Sequence, residues 1–232
     1  MRRRWWLFGE NRPGLRKAIA NIHRCIVTPE VSKHRIFIWM DSSTIPDHTL
    51  HVVARDDDYF FGVLHSRIHE IWSLKVGSTL EDRPRYSSSR VFETFPFPWP
   101  PGQEPVDDPR VQAIAEAAKE LVEQRERWLT PSPPMPSAGP PPNTTMNTLN
   151  AISKSDWSDL PLQDASRGEV SQRDGGGKRT LTNLYNARPT WLNLAHKRLD
   201  EAVFAAYGWK SDLSDEEILE KLLALNLERA KA

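Results

Sequence analysis

One cysteine, Cys25, is the whole thiol inventory of this 232-residue sequence. An intrachain disulfide is thereby excluded, and a reducing compartment, the cytoplasm, is expected. Long apolar runs are also missing. Nothing approaches the ~18 residues that a membrane-spanning helix needs. With 27 % charged and 38 % hydrophobic residues the chain reads as globular and polar. The arginines of MRRRWWLFGENRPG imitate the front of a signal peptide, but no apolar stretch follows them, so export is not expected. Glycine-rich nucleotide loops of either common pattern are absent. No lysine has an acid two positions before it, so the acid-plus-lysine element of metal-dependent nucleases is absent as well. The tetrapeptide SPPM (132–135) puts Met135 where base-flipping methyltransferase chemistry needs an aromatic to stack on.

An excess of one charge is lacking only on average. The formal net charge is zero, yet residues 1–40 hold nine Lys/Arg against Glu10 and Glu30, and residues 101–130 hold four against seven acids. A basic front and an acidic rear suit a chain with one face toward a polyanion, although a solvated surface gives the same count.

What is present falls into segments. RCIVTP, RIFIWM and TLHVVAR, within residues 24–55, are short, rich in β-branched and aromatic residues and bounded by turn formers, which predicts strands. The stretch DSSTIPDH (41–48) reads as a turn. In DDDYFFGVLHSRIHEIWSL the period changes: Phe61, Leu64, Ile68 and Ile71/Trp72 recur three and four apart, which predicts one helix with its N-cap at Asp56–Asp58. Residues 75–90 read as a polar loop. Arg90–Gly102, RVFETFPFPWPPG, packs four aromatics and four prolines into thirteen residues, which predicts a stiff extended ribbon crossing between two bodies.

Asp107 or Asp108 is expected to cap a helix with Pro109 in its first turn and an apolar stripe through Val111, Ile114, Ala118, Leu121 and Trp128. Residues 131–177 begin with seven prolines in twelve positions and end near a GGG run, a composition that predicts a disordered linker. RTLTNLYN then reads as a short helix. Thr190 is expected to cap a second one, with Trp191, Leu194, Leu199, Ala202, Val203 and Ala206 inward and Gly208 ending it. SDEE at 214–217 has capping-box spacing.

Two constellations resemble sites and have plainer readings. His65 and His69 stand four apart on one helix, a metal-compatible spacing, but a third and fourth ligand are not evident, so they read as two histidines on the helix's polar edge and no metal is expected. Cys25 and His23 share a strand face without a third group to orient them, so Cys25 reads as a small buried hydrophobe.

The segments RCIVTPEVSKHRIFIWM, VVARDDDYFFGVLHSRIHEIWSL, RYSSSRVFETFPFPWP and KRTLTNLYNARPTWLNLAHKRLDEAVFAAYGW resemble, in this order, the C-terminal third of MmeI-type DNA methyltransferases of restriction-modification systems. The resemblance implies an α+β fold. A small mixed β/α DNA-recognition domain (1–100) is followed by the first helix of a C-terminal domain (101–130). A low-complexity linker (131–177) and a C-terminal helical domain (178–232) complete the order. It further implies double-stranded DNA as partner and a role in phage defence. The methyl-donor loop and catalytic motifs lie upstream in the family, so this chain is expected to be inactive alone, to hold no S-adenosylmethionine itself, and to work with a methyltransferase domain or subunit.

Specificity determinants of the family sit in the loop before the aromatic-proline ribbon. That turns Lys75, Ser78, Thr79, Glu81, Arg83 and Arg85 from residues of a solvated loop into candidates for reading base edges. The basic front supplies candidates for phosphate contact: Arg2, Arg3, Arg4, Arg16, Lys17, Lys33 and Arg35. The alternatives are a protein-interaction module that complements a separately encoded methyltransferase, or the remnant of a truncated gene.

Overall fold

A computed structural model describes residues 12–80, 83–130 and 179–231. A short helix α1 (Pro13–Ile19) leads into a three-stranded antiparallel sheet, with β1 (Arg24–Pro29) between β2 (Ile38–Asp41) and β3 (Leu50–Val53). Alternation along β1 divides its side chains between two faces. Cys25 and Val27 pack with Ile19 of α1 on one face, while Ile26 enters the main core on the other. Cys25 is fully buried, and that burial pushes its thiol pKa up, which leaves it a neutral packing group.

The apolar stripe after the sheet forms two helices, not the single helix expected. They are α2 (Asp58–His65) and α3 (Arg67–Val76), with Asp57 capping the first through the Phe60 amide. The break is Ser66, which is fully buried in an extended conformation. Its hydroxyl donates to the Val63 carbonyl at 2.7 Å and accepts from the His69 amide. A serine that bonds the backbone on both sides competes with the helix ladder, and the apolar period conceals it. The freed Arg67 amide at the start of α3 donates to Asp200 Oδ1 at 2.7 Å.

The described residues of 75–90 do not form the expected loop. After α3 the chain makes a β-hairpin, β4 (Ser78–Leu80) with β5 (Arg83–Arg85), and then one turn of π-helix, Ser88–Phe92. The ribbon is therefore coiled at its start. Its rings then bury against α2 and α3, with Phe97 stacked on Phe60 at 4.6 Å and Phe95 edge-on to His69 at 4.7 Å. Carbonyls of the proline-rich stretch have no strand beside them. Tyr207 Oη donates to Pro96 O, Arg229 to Phe97 O and Pro98 O, and Asn226 to Thr94 O.

The rear of the chain is helical: α4 (Pro109–Leu129), α5 (Leu181–Ala187), α6 (Thr190–Tyr207) and α7 (Asp215–Arg229). Asp108 caps α4, and Ser214 with Glu217 makes the expected capping box on α7. Pro189, not Thr190, precedes α6, and Leu194 faces solvent rather than the core. Gly62 lets α2 and α4 approach closely, since a Cβ there would lie 2.7 Å from Ile114 Cγ2 and 3.2 Å from Ala118. One apolar cluster runs from Ile26 and Phe37 through α2, α4 and α6 to Ile218 and Leu222 of α7. The expected linker at 131–177 lies outside the described residues.

Candidate nucleic-acid interface

The β4–β5 hairpin holds four of the six expected base-reading residues, Ser78, Thr79, Arg83 and Arg85. Its register pairs Ser78 with Arg85, Thr79 with Pro84 and Leu80 with Arg83. Directly opposed residues of an antiparallel pair share a face, so Ser78, Leu80, Arg83 and Arg85 project together while Thr79 and Pro84 project the other way. Ser78, Thr79, Leu80, Arg83 and Arg85 are all exposed, as is Lys75 in the last turn of α3. Arg85 is oriented by Glu30, whose Oε1 accepts from its guanidinium at 2.6 Å.

Gly77 starts the hairpin. A Cβ at that position would collide with the Ser73 carbonyl oxygen and stand 3.0 Å from that of Arg85, so only glycine permits so abrupt an exit from α3.

The expected phosphate-contacting residues divide. Arg16 and Lys17 are exposed on α1. Lys33 is exposed and donates to Asn186 Oδ1 at 2.8 Å. Arg35 corrects the expectation: it is buried, 9 % exposed, and its guanidinium points inward. Nη1 donates to Thr28 Oγ1 at 3.1 Å and to Pro29 O at 2.5 Å, and Nη2 donates to Pro84 O at 3.3 Å. Its planar head lies over the Tyr86 ring, 4.9 Å from the centroid, and burial lowers its pKa to about 10. Arg2, Arg3, Arg4 and Glu81 lie outside the described residues.

His65 and His69 do not lie on a polar edge: both are buried, because each ring finds polar partners inside the core. His69 donates from Nδ1 to Leu64 O at 2.9 Å and accepts the Tyr86 hydroxyl at Nε2, 3.1 Å away. Full burial lowers its pKa to about 3, so the ring is neutral. His65 Nε2 lies 2.9 Å from Arg125 Nη1, 3.0 Å from the Phe37 amide and 2.9 Å from the Phe37 carbonyl, and burial with the Arg125 charge holds the ring neutral as well. Arg125 also donates to Phe37 O, and Tyr185 links onward to His196 at 3.0 Å. No group of three or more metal-ligating side chains occurs among the described residues. The cavity beside this network, about 50 Å³ and bounded by His34, Tyr185 and His196, is far smaller than a nucleotide site.

Sequence reading missed Glu30, Tyr86, His69 and Arg125 as structural determinants. Each acts on partners well away in the chain, and no local motif announces such a pair.

A small antiparallel sheet, a hairpin fixed beside it and an aromatic-proline segment packed on two helices make up the front of the fold. Residues 7–99 match the family model described as "MmeI, target recognition domain". The chain is 29 % identical over 206 residues to DNA methyltransferase A of Bacillus subtilis (strain 168), a match covering 86 % of this chain and 17 % of that protein. Its fold matches the structure of the type IIL restriction-modification enzyme MmeI in complex with DNA with a TM-score of 0.62 at 22 % identity. That match covers 91 % of this chain and 22 % of the enzyme. The chain thus spans about a fifth of the length of these relatives. No helix among the described residues is long and apolar enough to cross a membrane.

Proposed function

We propose that this chain is the sequence-reading portion of an adenine-N6 DNA methyltransferase of a restriction-modification system. It binds duplex DNA and has no catalysis of its own. The observation that carries this reading is the match of residues 7–99 to the MmeI target recognition domain. The hairpin supports it: Ser78, Arg83 and Arg85 project together from a short, fixed element, in reach of a major groove that admits a two-stranded ribbon. Arg16 and Lys17 on α1 supply positive charge for phosphates, which position a protein on DNA without choosing the sequence.

In this reading methyl transfer belongs to a methyltransferase domain or subunit that binds S-adenosylmethionine. The assembly acts in the cytoplasm in defence against phage DNA. The test is a titration of the purified chain with duplex DNA across a salt series. Binding should weaken with salt, with a log–log slope of ~0.9 for each phosphate contact. Labelled S-adenosylmethionine added to chain and DNA alone should leave the DNA unlabelled. Salt-independent binding, or none at low salt, favours the second reading, a module that serves a methyltransferase by protein contacts. The small fraction of each relative that the chain spans is what keeps that reading in view.

A further inference from the structure

The hairpin shows its side chains to solvent, yet its position is set from behind. Val31 bridges to Arg85, the Ser32 amide donates to Pro84 O at 3.3 Å, and the Tyr86 amide donates to Glu30 O at 2.7 Å. These backbone ties join the segment after β1 to β5. Arg35 adds a side-chain clasp. One guanidinium reaches Pro29 O at the end of β1 and Pro84 O in β5, while its flat face rests on Tyr86, whose hydroxyl is fixed by His69. Glu30, at the same end of β1, holds the Arg85 head from the other side. Arg35 is buried and fully directed inward, and Glu30 carries the charge that repels phosphate and pairs with Arg85, so both act on the hairpin.

We propose that Arg35 and Glu30 are specificity-determining positioning residues: they clasp the β4–β5 hairpin to the end of β1 and fix how its side chains meet a DNA groove, without themselves contacting a base. This rests on the DNA-reading function proposed above. The geometry requires the guanidinium fork. Arg35 serves two carbonyls on different strands and a hydroxyl at once, and a lysine, with one ammonium on a flexible stem, cannot span them. Arg35→Lys therefore keeps the charge that a phosphate contact would need and removes the clasp.

Two measurements on the full chain test this. The first is amide exchange at residues 78–80, 83 and 85 without DNA. The Arg35→Lys variant should exchange there about tenfold or more faster, because hydrogen bonds from a charged group are among the stronger ones and local opening tracks their loss. The second is selection from a random duplex library at low salt, scored by sequencing. Arg35→Lys and Glu30→Gln should each still bind random DNA with the salt slope of the unaltered chain. Each should lose about tenfold discrimination at one or more base positions, within the range of one base-edge contact.

If the unaltered chain enriches no motif, the DNA-reading function has failed and the proposal falls with it. If it enriches a motif and both variants enrich the same one equally sharply, the proposal alone is overturned. Unchanged exchange in Arg35→Lys overturns the clasp directly. Should Arg35→Lys not fold, Glu30→Gln leaves every backbone tie in place and carries the test: a relaxed motif supports the proposal and an unchanged one overturns it.

Discussion

Arg35 and Arg125 are both buried, and the surroundings of each show how differently the two halves of the molecule are held. Around Arg125 the neighbours are rings of the interior: Phe61 and His65 of α2 and Tyr185 of α5. Its guanidinium bonds His65 and the Phe37 carbonyl inside a continuous core. Around Arg35 the partners are two strand ends, one tyrosine of the core and a hairpin whose own side chains are mostly exposed. The rear is stabilised by burial and the hairpin by a few polar ties. A surface that must meet a ligand with polar side chains cannot bury them, so its geometry has to be set by hydrogen bonds from below. The comparison predicts that perturbations of the core change stability without changing what is read, and that perturbations of the hairpin do the reverse.

The largest effect should come from acid, because it acts on both halves at once. His69 supports the hairpin side through Tyr86, His65 meets Arg125, and His196 meets Tyr185. Burial lowers the pKa of His196 to about 4 and of His69 to about 3, and lowers that of His65 too, from an ordinary 6.5. The unfolded chain binds protons at these rings that the native one refuses. Their contribution is therefore complete above pH 6.5 and is lost as pH falls toward 4 and 3. Asp200 works the other way. Burial raises its pKa to about 6 from 3.8, so its ionisation costs stability as pH rises through that window. Glu70, whose pKa burial also raises, acts in the same sense as Asp200. Three rings outweigh two carboxyls, and urea midpoints followed by tryptophan fluorescence should fall between pH 6.5 and 4. A midpoint that rises over this range would show that the rings are charged in the native state.

Next in size is a truncation in the core. Leu199 is fully buried on α6, where it faces Gly62 of α2. Leu199→Ala should cost about 3 kcal/mol in chemical denaturation, yet the folded fraction should select the same DNA sequence as the unaltered chain. A smaller effect is expected at the seam. Gly77→Ala sets a methyl against the Ser73 and Arg85 carbonyls, neither of them a flexible side-chain end, and should cost about 1–2 kcal/mol. Unlike Leu199→Ala it should also alter sequence choice, because the hairpin must tilt to relieve the collision. If the two substitutions affect sequence choice alike, the division between core and hairpin does not hold.

The same division explains what was legible in the sequence. Strands β1 to β3, the caps at Asp57 and Asp108 and the capping box of α7 depend on residues within a few positions of one another, and local patterning finds them. The hairpin reads as a loop in the sequence because short exposed strands carrying Arg, Pro and Ser have no apolar alternation. It forms because Arg35, Glu30 and Val31 hold it from about fifty residues away. Arg35 itself reads from composition as one more surface cation, and only its place between Pro29 and Pro84 distinguishes it from Arg16. Ser66 was hidden inside an apolar period that passes through two helices with hardly a change of phase. Of the candidate site, the region was legible and the sharing of a face by Ser78, Arg83 and Arg85 was not, since that follows from a strand register no local pattern gives.

The smallest effect on stability, and the sharpest test of the comparison, concerns the exposed side chains themselves. Arg83→Ala and Ser78→Ala should each change stability by less than about 0.5 kcal/mol, as surface substitutions usually do. Lys17→Ala should be equally mild. Their effects on DNA should separate. A side chain reading a base edge contributes ~1–3 kcal/mol at one position, so Arg83→Ala should relax the choice of base there and leave the others intact. A phosphate contact carries no sequence information, so Lys17→Ala should weaken binding evenly and lower the salt slope by ~0.9. The motif can be read from the methylated sequence after the chain is joined to a matching methyltransferase portion. If replacing every polar residue from 75 to 85 leaves that motif unchanged, the hairpin does not read bases. The assignment then moves to the turn at 41–48 between β2 and β3, where Ser43 and Thr49 bond Asp41 and Asp47 on the exposed side of the sheet.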